Sequence, residues 1–540
     1  MATITFCPPL IYNQIRLYNS LGVISLAAVA RNCGHQVNIR DINIICTDTE
    51  QLGKIENFAG YLLSDRPDII GFSTVYNSYP ATIRMAIACK RLRPDVYVLM
   101  GGPMASATAE ETLRAYNEID GIMVGECEVA LESFIKEFEH GRNWSNVPNL
   151  VWRNCSQLTR NQQAPLVENL DSLPLPAYDL SPFSLADAGT ILIEAGRGCP
   201  HRCSYCSTSR FWNSRIRMKS AHKLLEQTKM LLAKYRTNNV KFVSDNFTGS
   251  PDFCLEFCKA VKADGVKFKW YTSACVDALN SNLTEKMAEA GCKSLFVGIE
   301  TGTAKVHKII GKRMLDQAFV IKNIINANKA GIGCTASFIV GFPGEDLSDV
   351  RETLKLLLDV MFAGNRRNII QLHTLTPHSG TPIAQNNIHQ LEFDGFSPGP
   401  ECHLSKKDGT MIRSHPDIFT SFYTIKNDEL SKAFLLRLCL IIIHMQNFPD
   451  TMLLLWRQER MRFLDLLLSQ AKHLKKDDTN WFIQNRTETI ALVYRFFRQR
   501  ILPQLDNSKK MQETLLHEYM INKTAVRLEF ESILRFQKPV

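Results

Sequence analysis

This sequence of 540 residues predicts an α/β architecture in three parts: a doubly wound parallel sheet, a partial parallel barrel of six strands, and a mainly helical remainder. Three observations carry that prediction. Short β-like and helix-like runs alternate through the first 140 residues and again between 189 and 400, the pattern of parallel sheets joined by crossover helices. Each strand candidate of the second region stops at polar or glycine residues, the edge where α/β folds keep their chemistry. From about residue 420 the short alternation gives way to long amphipathic runs.

In the first part, 1–140, residues 2–7, 36–41, 68–75, 96–100 and 121–124 read as buried strands, with helices over 20–33, 79–92 and 109–116. The strand ends offer Ser73 and Thr74, then Gly101 and Gly102, then Gly125 and Glu126. Glycine lets the backbone approach a ligand closely, and adjacent amides take a phosphate or amide group. By themselves these loops predict a nucleotide-like ligand on a Rossmann-type sheet. Residues 141–188 read as a connector, because Pro174, Pro176 and Pro182 cannot continue a helix or a central strand.

The second region, 189–400, opens with Cys199, Cys203 and Cys206 in the stretch EAGRGCPHRCSYCSTSRFW. Most metal sites close four ligands around the ion, whereas a three-thiolate loop holding a 4Fe-4S cluster leaves one iron open. A zinc with a distant fourth ligand is the competing reading, but zinc loops bring cysteines in pairs and the second pair is missing. Gly196, Gly198 and Pro200 break the apolar run 190–195, so the cysteines fall on a loop at a strand's carboxyl end. Strands follow at 240–243, 268–273, 294–297, 335–340 and 369–375. Beyond or at their ends lie Asp245 and Asn246, Ser273, Glu300 within GIETG, Gly341 within GFPGE, and Leu375. Arg197, His201, Arg202 and Arg210 flank the cysteines and read as an exposed basic loop near a domain interface.

CxxxCxxC with Tyr205 before the third cysteine resembles the radical S-adenosylmethionine (radical SAM) superfamily. The resemblance implies that SAM chelates the open iron and that an electron from the cluster releases a 5′-deoxyadenosyl radical. It implies contacts from Asp245 and Asn246 to the methionine amino end, from Glu300 to the ribose, and from Tyr205, Gly341 and Leu375 around the adenine, with Ser273 among the cofactor-binding positions. Preceding such a core, the first sheet resembles the cobalamin-binding module of cobalamin-dependent members. Ser73, Thr74, Gly101, Gly102, Gly125 and Glu126 then border cobalamin. The DxHxxG loop of many such modules is compared with DINIICTDTEQLG from Asp41, which has no histidine, so cobalamin is expected without a histidine ligand from that loop. His35 reads as a polar residue at a helix-to-strand turn.

The remainder, 401–540, reads as helices over 428–445, 451–474, 487–501 and 509–536. Within it, residues 421–540 carry 19 Lys plus Arg against 13 Asp plus Glu, hence +6 of the overall +9. A solvated charged face outweighs an anionic partner, though peripheral contact with a membrane surface stays open. The longest apolar stretch, 433–445, contains Arg437 and His444 and is too short to span a bilayer. Residues 1–9 lack a basic leader, so no signal peptide is expected. Sixteen cysteines therefore read as free thiols of a reducing cytoplasm. Only Cys402 and Cys439 follow Cys334, too few for an auxiliary-cluster domain, and no nucleic-acid partner is expected.

The function expected is a methyltransferase acting on an unactivated carbon of a small molecule, peptide or lipid. No side chain is assigned as catalytic, and an external reductant such as flavodoxin or ferredoxin is needed. A radical cyclase, ring-rearranging enzyme or epimerase is the alternative, and a cluster- and cobalamin-binding regulator is the reading from another class.

Overall fold

The computed structural model describes residues 1–10, 20–46, 49–155, 157–181, 189–364, 368–395, 404–473, 486–505 and 508–536. Its first sheet contains β1 (Thr3–Cys7), β2 (Gln36–Ile39), β3 (Ile69–Ser73), β4 (Tyr97–Gly101), β5 (Gly121–Met123), β6 (Leu150–Asn154) and β7 (Gln157–Arg160). Their order is β2-β1-β3-β4-β5-β6-β7. The first five strands are parallel, as the alternation predicts. Within the presumed connector, however, β6 and β7 add two antiparallel strands to the edge. The strand order switches sides between β1 and β3, and the crevice at that point opens at the strands' carboxyl ends.

The second sheet contains β8 (Ile191–Glu194), β9 (Asn239–Val243), β10 (Lys269–Ala274), β11 (Cys292–Glu300), β12 (Gly333–Val340) and β13 (Ile369–Thr374). Its order runs β13-β12-β11-β10-β9-β8, all parallel, so the six predicted strands form one continuous partial barrel. Alternation sets its two faces. On β12, Cys334, Ala336, Phe338 and Val340 are buried, while Ile339 on the other face is only half-buried.

The last part of the chain does not keep to itself. Helix Lys432–Met445 contributes Phe434, Leu438, Ile441 and Ile442 to the same hydrophobic core as the barrel strands, as does Pro449–His473 through Leu455, Phe463 and Leu467. Residues 404–425 return to the first sheet. Ile412, Phe419 and Phe422 join its core beside Tyr79 and Met85, and buried Arg84 is bonded to Asp408 at 2.9 Å and Glu56 at 2.8 Å. Among the described residues no single helix is long and apolar enough to cross a membrane. All fifteen described cysteines are free thiols.

Candidate active site

The cysteine loop is built by its glycines and by Asp245. After β8 the chain makes a two-residue antiparallel pairing, Gly196–Arg197 with Arg217–Met218, and then turns at Gly198 with φ +86°. A Cβ there would overlap the Arg215 carbonyl oxygen, so only glycine fits. The Gly198 N–H donates to Asp245 Oδ2 at 2.8 Å. Burial pushes the Asp245 carboxyl up in pKa. The predicted SAM-contacting carboxylate is therefore engaged in holding the loop. Further along, the Ser204 N–H donates to the Ile310 carbonyl at 2.8 Å and the Cys206 N–H to the Cys203 carbonyl at 3.1 Å.

Among the described residues no three His, Cys, Asp or Glu side chains converge closely enough for a single metal ion. The cysteine thiols nevertheless influence one another electrostatically, Cys199 with Cys206 and Cys203 with both. A multi-iron cluster takes each thiolate on a different iron, so its ligands surround a volume rather than a point. Three thiols carried on one loop fit the donor set of such a cluster. Without iron, burial pushes the Cys203 thiol up to about 11.

Around this loop lie the other barrel positions. Asn246 Nδ2 faces Cys199 Sγ at 3.9 Å and Cys275 Sγ at 3.1 Å. Glu300 has φ +75°, a conformation that costs a non-glycine residue about 1–3 kcal/mol and tends to mark functional sites. Its carboxylate takes a hydrogen bond from Lys312 Nζ at 3.0 Å, and the same ammonium donates to the Gly298 carbonyl at 2.7 Å. Although burial opposes the charge on Lys312, Glu300 outweighs it and the pKa rises, leaving a buried cation beside Cys203. Ser273 is half-buried on β10, opposite Phe296 of β11. Tyr205 stands edge-on to Phe342 at 5.8 Å, and together with Cys206, Ile339 and Leu375 it lines a cavity of about 370 Å³. That cavity starts at the third cysteine and runs over the predicted adenine positions, a fit for SAM. Gly341 lies outside it, and its N–H is taken by the Glu345 carboxylate.

Glu345 yields a pH prediction. It is 2% exposed; Oε2 accepts two backbone N–H groups and Oε1 has no hydrogen-bond partner, so burial raises its pKa from 4.5 to about 7. The folded state then holds a proton that the unfolded chain has lost. This term destabilises progressively as pH rises from 4.5 to 7 and is complete above that. Glu345→Gln should abolish a pH-dependent loss of about 3 kcal/mol, read as thermal midpoints converging at pH 4.5 and separating towards pH 8. Parallel midpoint curves would reject it.

The first sheet supplies a second cavity, about 320 Å³, at its carboxyl edge. Ser73, Gly101, Gly102, Gly125 and Glu126 all line it, with Leu21 and Val23 of helix Leu21–Asn32. Thr74 does not line it: the side chain is fully buried, donating to the Gly101 carbonyl at 2.8 Å and accepting from the Ala105 N–H at 2.9 Å. None of the described lining residues is histidine or comes from 41–53. A further cavity of about 330 Å³ adjoins it through Pro103, Gly125, Glu126 and Phe211. His35 accepts the Ala2 N–H at 3.1 Å, as its turn position implies.

The opposite wall of that second cavity belongs to the cysteine loop, as Arg197, Phe211 and Trp212. Arg197 corrects an expectation, since it is 5% exposed rather than part of a solvated loop. Its guanidinium reaches Glu126, Glu128 at 2.6 Å and Glu194 at 2.9 Å. Glu126 also binds Arg217 at 2.9 Å and the Val167 N–H at 2.7 Å. Burial opposes its charge, but Arg217 and Arg197 outweigh burial and hold its carboxyl below the usual range. Both guanidiniums lie over the Trp212 ring, at 5.6 and 5.4 Å. Glu126 is thus committed to the junction between sheets. Arg197 near the first cysteine was visible in the sequence, but two of its three carboxylate partners, Glu126 and Glu128, come from a distant segment.

The sequence matches the B12 binding domain over residues 17–135 and the Radical SAM superfamily over 193–357, the stretches that form the two cavity walls. The chain is a B12-binding radical SAM protein. It is 28% identical over 368 residues to an uncharacterized methyltransferase of Pyrococcus horikoshii, covering 67% of this chain and 77% of the relative. It is 24% identical to an anaerobic magnesium-protoporphyrin IX monomethyl ester cyclase of Synechocystis, covering 54% of this chain and 58% of that one. The fold of this radical SAM protein is similar to that of OxsB, a cobalamin-dependent S-adenosylmethionine radical enzyme solved with aqua-cobalamin and S-adenosylmethionine. The TM-score is 0.67 at 16% identity, over the whole of this chain and 82% of OxsB. A 4Fe-4S cluster, SAM and cobalamin are the cofactors of these two domains.

Proposed function

We propose that this radical SAM protein is a cobalamin-dependent methyltransferase that places a methyl group on an unactivated carbon of a small molecule, peptide or lipid. The observation that supports it is the shared cavity, with B12-domain glycine loops on one side and Arg197, Phe211 and Trp212 of the cysteine loop on the other. When bound, SAM on its cluster supplies a 5′-deoxyadenosyl radical and cobalamin supplies the methyl group.

The chain's own part is positional. Cys199, Cys203 and Cys206 hold the cluster, with Asp245 fixing the turn that presents them. Tyr205 and Leu375 line the cavity for SAM, Asn246, Ser273 and Glu300 act from the other strand ends and Gly341 from outside the cavity, the Glu300–Lys312 pair setting a charge balance beside Cys203. Ser73, Gly101, Gly102 and Gly125 border the corrin, with Thr74 and Glu126 acting behind them. An inert C–H bond offers no acidic proton, so the scheme requires no side-chain base; it requires orientation and exclusion of water. The electron comes from a small redox protein of the flavodoxin or ferredoxin kind, in a reducing cytoplasm. In domain terms, 1–140 carries cobalamin, 189–400 carries the radical chemistry, 141–188 joins them, and 401–540 closes over both.

The test is anaerobic reconstitution with iron, sulfide and cobalamin, followed by SAM, a strong reductant and candidate substrates. 5′-Deoxyadenosine should form in the wild type and fall to background in Cys203→Ala, and a product should gain the mass of one methyl group. Absence of deoxyadenosine from a fully iron-loaded sample would count against every enzymatic reading. The match to a cyclase favours one second reading, ring formation without methyl transfer. Deoxyadenosine with no methyl gain in product would select it.

A further inference from the structure

A fourth thiol stands at the cluster site. Cys275 follows β10 and is remote in sequence from the cysteine loop, so no spacing rule connects it to the other three. Its Sγ lies 3.1 Å from Asn246 Nδ2, the nitrogen that also faces Cys199 Sγ at 3.9 Å. Its own N–H donates to Thr248 Oγ1 at 2.9 Å, and that hydroxyl lies 3.3 Å from Asn246 Oδ1. Donation from Thr248 to this oxygen determines which end of the amide faces the two sulfurs. On its other side, His201 Nε2 of the cysteine loop is 3.5 Å from the Cys275 sulfur.

Two independent observations meet here. A loop with three thiolates needs a fourth donor for its remaining iron, and Asn246, assigned to the methionine end of SAM, instead spends its amide on Cys275. The thiol therefore engages the amide assigned to the methionine end of SAM. From this geometry we infer that Cys275 is the fourth thiolate ligand of the cluster while SAM is absent, and that SAM displaces it. The inference rests on the radical SAM reading proposed above.

The exchange balances without an oxidant or reductant. The iron–sulfur bond to Cys275 breaks, and bonds from the same iron to the SAM amino nitrogen and carboxylate oxygen form. The proton that the SAM ammonium gives up on coordination goes to the freed thiolate, with His201 in reach as relay. No electron moves, so a cluster capped in this way is closed to water and small oxidants until its substrate arrives.

The test uses full-length protein reconstituted with ⁵⁷Fe, freed of external thiols, and needs no variant. Mössbauer spectra without SAM should show four irons in sulfur-only coordination, and added SAM should convert one of the four to a site with nitrogen and oxygen ligands. A distinct oxygen- or nitrogen-ligated iron before SAM is added would overturn the role of Cys275 while leaving the radical SAM reading intact; failure to form any four-iron cluster would overturn both. Cys275→Ala supplies a second readout. Its reduced, SAM-free electron paramagnetic resonance spectrum should differ from that of the wild type, and the two should coincide once SAM is bound. Identical spectra in the SAM-free state would reject the inference.

Discussion

Alanine in place of Gly198 is expected to abolish cluster assembly while leaving both sheets folded. Iron and sulfide should drop from a full four-iron complement to background, with far-ultraviolet circular dichroism unchanged. The left-handed conformation alone costs alanine about 1–2 kcal/mol. The larger effect is steric, because the new methyl group would overlap the backbone carbonyl of Arg215, which cannot swing aside as a side chain would. Relief requires the chain to move at the residue that immediately precedes Cys199, and the hydrogen bond from the Gly198 N–H to Asp245 moves with it. Four-iron loading at the wild-type level would show that the loop tolerates this shift and that its φ is incidental.

The second large effect is expected at Arg197. Its replacement by methionine keeps most of the volume but takes from Glu126, Glu128 and Glu194 the cation they share, with Arg217 still paired to Glu126. Breaking a buried ion pair from one side typically costs about 3–5 kcal/mol, because the stranded charges stay desolvated. The denaturation midpoint of Arg197→Met should fall accordingly, and cobalamin retention on gel filtration should fall with it. Adding Glu128→Gln should restore part of the loss. Arg197→Lys should rescue poorly, since one ammonium cannot span three carboxylates as a guanidinium fork does. A change below about 1 kcal/mol would mean that water reaches these groups.

Much of this design was legible in residue order. All six barrel strands and the first five of the leading sheet follow from apolar runs that end in glycine or polar residues, because a buried parallel strand must be apolar throughout and its loop must not be. The loop that carries the three cysteines was legible because glycine and proline break the apolar run just before it. What escaped was long-range. Nothing in the sequence near Arg197 shows that its partners Glu126 and Glu128 lie about seventy positions earlier. Thr74 and Glu126 were placed correctly at strand ends, yet side-chain direction turned the first into a turn-holding hydroxyl and the second into a junction charge. The β6–β7 hairpin was hidden by its shortness, since β6 has an apolar run of only Leu150, Val151 and Trp152 and the edge strand β7 is largely polar. Cys275 was invisible because only the barrel's curvature brings the end of β10 to the cysteine loop.

The return of residues 404–425 to the first sheet has a consequence for biogenesis. Arg84 and its partner Asp408 are 324 positions apart in the chain. At about 5–20 residues per second, a ribosome delivers Asp408 roughly 15–65 s after Arg84. Throughout that interval the nascent first sheet presents the apolar surface around Tyr79 and Met85, later covered by Phe419 and Phe422, together with a guanidinium lacking one of its two carboxylates. A first sheet that forms during that interval is a partly bare intermediate with exposed apolar surface. Completion of the molecule waits on the late segment rather than on either sheet.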